Sequence, residues 1–206
     1  MSTLVSLVIP VRDAASAKSR LAADGDGDAD ARRASLAAAI ALDTVLAARA
    51  ARNVGELIVV GSLSAPIDGV RVIDDPGLGL LVAIGAGLSA ADPAAPSAVL
   101  LGDLPALQPQ DLDAALVAAS EHHWSFVPDA DGDGTTLVVA SAGLPHSLRF
   151  GPDSAEQHRD AGYVELDVPE HSGLRRDVDT LDQLADLAAL AEAGAVLIGP
   201  RTRALL

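Results

Sequence analysis

Lys18, Ser19 and Arg20 put two cations and a hydroxyl on three consecutive residues. They sit in the loop Arg12-Asp13-Ala14-Ala15-Ser16-Ala17-Lys18-Ser19-Arg20-Leu21, just past an apolar run that closes in Pro10-Val11. Such a loop can wrap a triphosphate, with charge from the side chains and N–H donors from the backbone. A solvated surface loop would read the same way. It is not a Walker loop, because glycine and the G-x-x-x-x-G-K spacing are absent. Lys18 is the chain's lysine among thirteen arginines, either because a compact ammonium is needed there or because of arginine-rich codon usage.

A second group is acidic. Asp103 follows Gly102 at the end of an apolar run, a common place for a carboxylate that holds Mg²⁺ beside a phosphate. Asp177 and Asp179 are two apart in Arg175-Arg176-Asp177-Val178-Asp179-Thr180, so in an extended segment they point the same way. Asp103 can equally serve a turn, and Asp179-Thr180 can cap the helix that follows. Gly77-Leu78-Gly79 opens another helix and offers backbone N–H groups to a nucleotide. The full G-x-G-x-x-G is missing, since position 82 is Val.

Two further stretches are candidate ligand loops. Asp129-Ala130-Asp131-Gly132-Asp133-Gly134 spells the start of a calcium loop, but its twelfth position is Ala140 and a strand pattern follows, which argues against an EF-hand. A Gly-Thr-Thr turn facing a substrate is the better use of it. Phe150-Gly151-Pro152-Asp153-Ser154 enters a short helix, where Gly151 and Ser154 can give an N–H and a hydroxyl to a phosphate, with His158 one turn on. The alternative is an ordinary cap at Asp153 or Ser154 and an exposed His158. Without a G-x-S-x-G elbow or any cysteine, a protein nucleophile has little support.

The elements that must carry these loops alternate. Strands are expected at Leu4–Val11, Glu56–Gly61, Val70–Ile73, Ala98–Leu101, Ser125–Val127, Thr135–Ala140 and Tyr163–Val168. Helices are expected at about Ala31–Arg52, Leu80–Ala91, Pro109–Ser120, Asp153–Ala161 and Thr180–Ala193. Asp24–Asp30 reads as a surface loop, and Val196–Leu206 as a short strand or a docked extension. The alternation predicts an α/β fold: a mainly parallel sheet with helices on both faces, in one domain over residues 1–206. Ligands then sit beyond the carboxyl ends of the strands.

Composition narrows the partners. Half of the 206 residues are hydrophobic but 2% are aromatic, so the core must be aliphatic. A net charge of -15 leaves no basic surface for nucleic acid or anionic membrane. With neither a membrane-length apolar run nor a signal-like N-terminus, a cytoplasmic location is expected.

Several of these segments together resemble one family. They are Pro10-Val-Arg with Ala17-Lys-Ser-Arg-Leu21, then Asp75-Pro-Gly, Gly102-Asp-Leu-Pro-Ala-Leu107 and Asp131-Gly-Asp-Gly-Thr-Thr136. Phe150-Gly-Pro-Asp-Ser154 with His158 and Gly173-Leu-Arg-Arg-Asp-Val-Asp-Thr180 complete the series. In that order they resemble the CofC/FbiD guanylyltransferases of deazaflavin coenzyme (F-420) biosynthesis, over nearly the whole chain. The resemblance implies a Rossmann-like, MobA-like nucleotidyltransferase fold. It also implies transfer of GMP from GTP to phosphoenolpyruvate, 2-phospho-L-lactate or a related phospho-acid, with loss of pyrophosphate.

By the same resemblance, Asp103, Asp177 and Asp179 bind Mg²⁺, and Thr136, Gly151 and Ser154 bind the phospho-acid. Arg12, Lys18, Arg20, Gly77 and Gly79 bind the nucleotide, and Lys18, Arg20 and Asp103 are catalytic. The implied partners are GTP and a small phosphorylated acid, and a homodimer is compatible with it. Arg12 stands where many relatives have Lys, and Leu81 where they have Asn. The rival readings are a nucleotidyltransferase with a molybdopterin or sugar-phosphate acceptor, and a non-catalytic binding module.

Overall fold

A computed structural model describes residues 4–11 and 27–206, and for residues 27–29 the backbone alone. The described strands are β1 (Val5–Val11), β2 (Val54–Gly61), β3 (Arg71–Ile73), β4 (Ser97–Leu100), β5 (Trp124–Pro128), β6 (Thr135–Ala140) and β7 (Val164–Glu165). They form one sheet in the order β3-β2-β1-β4-β6-β5-β7. The β1–β2, β1–β4, β2–β3 and β5–β7 pairs are parallel, and β6 runs antiparallel to both β4 and β5. The mainly parallel α/β sheet read from the sequence is therefore present, with one reversed strand.

The helices are α1 (Gly27–Ala50), α2 (Leu80–Ala90), α3 (Pro109–Ala119), α4 (Ser154–Asp160), α5 (Leu181–Glu192) and α6 (Pro200–Arg203). They cover both faces, and the pleat of β1 shows how. Leu7, Ile9 and Val11 point to a core shared with Ala41 and Val45 of α1 and Leu112 and Leu116 of α3. Val8 points the other way, into a core with Ile84 of α2, Ala155 of α4 and Phe126. A smaller cluster joins Leu187 of α5 to Ala106 and Val196.

Three expectations are corrected at their edges. Gly27–Asp30 is helical rather than loop, and Asp30 pairs with Arg33 at 3.3 Å, as acidic residues near a helix start favour. The strand expected over Tyr163–Val168 is ladder-paired at Val164–Glu165 alone. Beyond it the chain curls through a Val168 N–H to Leu166 C=O bond of 3.0 Å. Of the two readings of the C-terminal stretch the strand fails and the docked extension holds, as a short helix, because the carboxylate of buried Asp43 on α1 takes the N–H groups of Arg201 (3.3 Å) and Thr202 (2.7 Å).

Residues 104–107, which follow Asp103, are clasped from several directions. Leu104 N–H donates to Thr44 Oγ1 (3.1 Å), and Thr44 in turn back-bonds to Ile40 C=O (2.9 Å). Gly199 N–H donates to Pro105 C=O at 2.7 Å. Gly173 packs so closely that a Cβ there would overlap the Ala106 carbonyl. Replacing Gly173 with Ala should therefore cost about 2 kcal/mol through overpacking. Urea denaturation would register it as a lower midpoint at unchanged slope.

Candidate active site

The carboxyl ends of β1, β2, β3, β4, β5 and β7 lie at one edge of the sheet, and the reversal of β6 brings its first residues there too. Arg12, Lys18 and Arg20 lie outside the described residues. The other candidates are described.

Asp103 and Asp177 come from distant parts of the sequence and meet through the main chain. Val178 N–H donates to the Asp103 carbonyl at 3.0 Å, which sets the second acidic segment beside the first. Burial, first, pushes the Asp177 carboxyl up from its ordinary 3.8 to about 6. The negative charges of Asp129, Asp179 and Asp131 push the same way, against a backbone hydrogen bond of Asp177 itself. Asp179 is exposed, and its N–H donates to Gln183 Oε1 at 2.9 Å. The cap of α5 is Thr180, in a capping box with Gln183.

These oxygens have the chemistry of a hard-cation site, and a divalent ion would relieve the crowding of like charge. Among the described residues no group of three or more acidic, histidine or cysteine side chains is arranged to hold a metal ion. Mg²⁺ does not require one, since it keeps several waters and commonly takes one or two carboxylates plus substrate phosphates.

The segment that imitates a calcium loop is a turn built inward. The Asp129 carboxylate accepts from the N–H groups of Gly132 (2.7 Å), Asp133 (3.1 Å) and Gly134 (2.7 Å). Its carbonyl accepts from Arg175 Nε (3.1 Å) and Nη2 (2.8 Å), which fastens the turn to the segment carrying Asp177. The turn delivers Thr136, whose carbonyl accepts from Leu101 N–H (2.9 Å) beside Gly102-Asp103. The Thr136 side chain is buried, with Oγ1 donating to Val127 C=O at 3.4 Å.

Gly151 and Ser154 stand across from this turn, tied to it by the Ala155 N–H to Asp133 C=O bond of 3.0 Å. Gly151 has φ +118 and open space where a Cβ would be. Asp153, at φ 58, is the described non-glycine residue in the left-handed region, so this turn stores strain of roughly 1–3 kcal/mol. Ser154 is 1% exposed, and its Oγ lies 3.2 Å from Thr135 Oγ1. At the candidate nucleotide residues, Gly77 N–H donates to Asp75 Oδ1 (2.9 Å). Gly77 and Gly79, at φ 75 and 99, both border open space. Leu78 and Leu81 beside them are exposed.

Sequence reasoning left open whether His158 is exposed, and it is fully buried. It contacts the rings of Phe126 (5.6 Å), Phe150 (5.9 Å) and Tyr163 (5.1 Å). Thr44, Thr135, Asp129 and Arg175 were also missed as supports. A Thr in mid-helix and an Arg gripping a carbonyl leave no local pattern in a sequence. A surface hollow lined by Glu56, Gly69 and Arg71 lies at the opposite, amino-terminal end of the strands, where Arg71 is tied to Glu56 at 3.3 Å.

Residues 34–162 match the MobA-like NTP transferase domain. A phosphoenolpyruvate guanylyltransferase from Streptomyces coelicolor is 41% identical over 97% of this chain and 94% of its own. One from Sanguibacter keddieii is 40% identical over 98% of this chain and 84% of its own. The chain belongs to the phosphoenolpyruvate guanylyltransferase family. The fold of this guanylyltransferase family member is also that of a nucleotidyl transferase from Methanothermobacter thermautotroptrophicus, with TM-score 0.59 and 20% identity over 92% of this chain and 99% of that one. A Mycobacterium tuberculosis protein solved in complex with manganese aligns at TM-score 0.52 and 20% identity, over 91% and 98% of the two chains.

Two buried imidazoles give this family member an acid-sensitive flank. Burial holds His158 and His146 down at about 4 from the ordinary 6.5, and hydrogen bonding to Ser154 and Ser97, respectively, opposes the shift. Between those values the unfolded chain binds more protons than the folded one. Their contribution to stability is therefore complete above pH 6.5 and is lost as pH falls towards 4. The stability gap between wild type and H158Q should narrow by up to about 3 kcal/mol between pH 7 and pH 4. Denaturant titrations at the two pH values measure it, and a constant gap would contradict the assignment.

Proposed function

We propose that this chain transfers GMP from GTP to phosphoenolpyruvate, releasing pyrophosphate, with Mg²⁺ as the metal. The observation that carries the reading is the near-complete coverage, at about 40% identity, by relatives named for that reaction. The junction of Asp103 with the Asp177–Asp179 segment at the carboxyl edge supports it independently.

An oxygen of the acceptor's phosphate attacks the α-phosphorus of GTP in line. The new P–O bond forms as the bond to the β-phosphate's bridging oxygen breaks, and the electron pair leaves with pyrophosphate. No covalent enzyme intermediate is needed, so catalysis is placement and charge neutralisation. Lys18 and Arg20 neutralise the departing pyrophosphate, with Arg12 on the nucleotide phosphates. Gly77 and Gly79 let the nucleotide approach the backbone. Thr136, Gly151 and Ser154 form the acceptor side. Asp103, Asp177 and Asp179 would hold Mg²⁺, which supplies Lewis-acid screening between two anionic phosphates. The reading makes the chain one catalytic domain. It also fits the cytoplasm, and no helix among the described residues is long and apolar enough to cross a membrane.

Mass-spectrometric analysis of product formed from GTP, Mg²⁺ and a panel of phospho-acids tests the reaction. Phosphoenolpyruvate should give the largest kcat/KM, ahead of 2-phospho-L-lactate. Product from a sugar phosphate or molybdopterin alone would refute the acceptor. Asp103→Ala should lower kcat by at least about 100-fold. Pyrophosphate release at the wild-type rate would sink the metal assignment.

A further inference from the structure

We propose that His158 is a positioning residue for the acceptor phosphate, holding the Arg149 end of the Gly151 turn directly and the Ser154 side chain through Thr135. The proposal rests on the reading of Gly151 and Ser154 as acceptor-binding residues.

The polarity of these bonds is set at the Arg149 amide. An amide N–H can only donate, and that of Arg149 lies 3.2 Å from His158 Nε2. Nε2 therefore presents its lone pair, and in a neutral ring the proton sits on Nδ1. Nδ1 is 3.0 Å from Thr135 Oγ1, which must accept from it. Thr135 then cannot give its own proton to the ring. The same oxygen also accepts from Ser154 Oγ, 3.2 Å away, so one hydroxyl holds both the ring and the serine.

Ser154 is thereby held at the start of α4, three residues from Gly151, where the turn has open space for an oxyanion. Thr135 is 3% exposed and Ser154 1%, so these links lie away from solvent. Burial keeps the ring uncharged at neutral pH, against the Ser154 backbone hydrogen bond and with help from the facing Arg149 charge. A charged imidazolium would set two donors face to face at Nε2.

The same ring also fixes the approach to the turn. Residues 141–150 have no regular structure, yet they are pegged along their length. Trp124 Nε1 donates to Pro145 C=O (2.9 Å), Ser147 N–H donates to the Tyr163 hydroxyl (2.9 Å), and Arg149 N–H donates to His158. His158 thereby sets both the backbone of the Phe150–Asp153 turn and the hydroxyl beneath it.

T135V removes the middle link while keeping the side-chain shape, H158F removes the imidazole, and H158Q keeps an acceptor for the Arg149 amide. GMP transfer is measured with each substrate varied at saturating levels of the other. T135V and H158F should raise the KM for phosphoenolpyruvate by about tenfold or more while the KM for GTP stays within about twofold. H158Q should recover part of the loss. Equal rises in both KM values, or a lower Tm with the acid's KM unchanged, would overturn the proposal. Should H158F not fold, T135V decides alone.

Wild-type protein that makes no product from phosphoenolpyruvate defeats the functional reading but leaves the chain of bonds testable. Calorimetric binding of phosphoenolpyruvate must then weaken in T135V. Equal affinity refutes the positioning role, and no binding to wild type refutes both.

Discussion

A backbone bond from Val178 to the carbonyl of Asp103 joins the two acidic segments of this protein. Placing a carboxylate here is unfavourable, since burial and then the charges of Asp129, Asp179 and Asp131 raise Asp177. The fold opposes that repulsion with contacts that carry no charge. Thr44 holds the amide of Leu104, Gly199 holds the carbonyl of Pro105, and Gly173 lies against Ala106 with no room for a side chain. Asp43, one residue before Thr44, secures α6 and so the stretch that includes Gly199. One turn of α1 thus governs the acidic loop from two sides. Its apolar neighbours Ala41 and Val45 are sunk in the main core, so the position is anchored by burial.

The other half of the edge is organised by scarce aromatics. The chain's two Phe, one Trp and one Tyr are Phe126, Phe150, Trp124 and Tyr163. All four contact or neighbour one another through the His158 and Trp124 rings. Elsewhere Ala, Val, Leu and Ile suffice, because helices on a parallel sheet need only aliphatic packing. Aromatic rings with polar handles are kept for residues 141–150, where no ladder satisfies the backbone and side chains must.

Much of this was legible in the sequence because local rules and the fold agree. Apolar runs closed by Gly or Pro gave β1, β2 and β4, Pro109 gave the start of α3, and Thr180 gave the cap of α5, to which the structure adds Gln183. The order of the loops after strands pointed to the edge where the candidate residues gather. What stayed hidden was relational. The reversal of β6 has no periodicity of its own, since a reversed buried strand reads like any other. Gly27–Asp30 looked like a loop because Asp and Gly alternate there, although helix context overrode that composition. The burial of His158 depends on three rings from separate elements, and the sequence offers only its distance from Ser154.

The antiparallel course of β6 carries a consequence for how this architecture can diversify. In an all-parallel sheet, every residue at the carboxyl edge arrives on the loop after its own strand, and neighbouring strands are linked by long crossovers. Here β5, the turn at Asp129 and β6 form a hairpin, and the chain then runs directly through Gly151 to α4. The proposed acceptor side is thereby drawn from one uninterrupted run of chain, residues 129–158, whereas the residues proposed for the nucleotide come from earlier in the sequence. Such a run can be lengthened, shortened or exchanged as a cassette without rethreading the β1–β4 frame. A hairpin at this position separates the evolution of what is modified from that of what supplies the nucleotide.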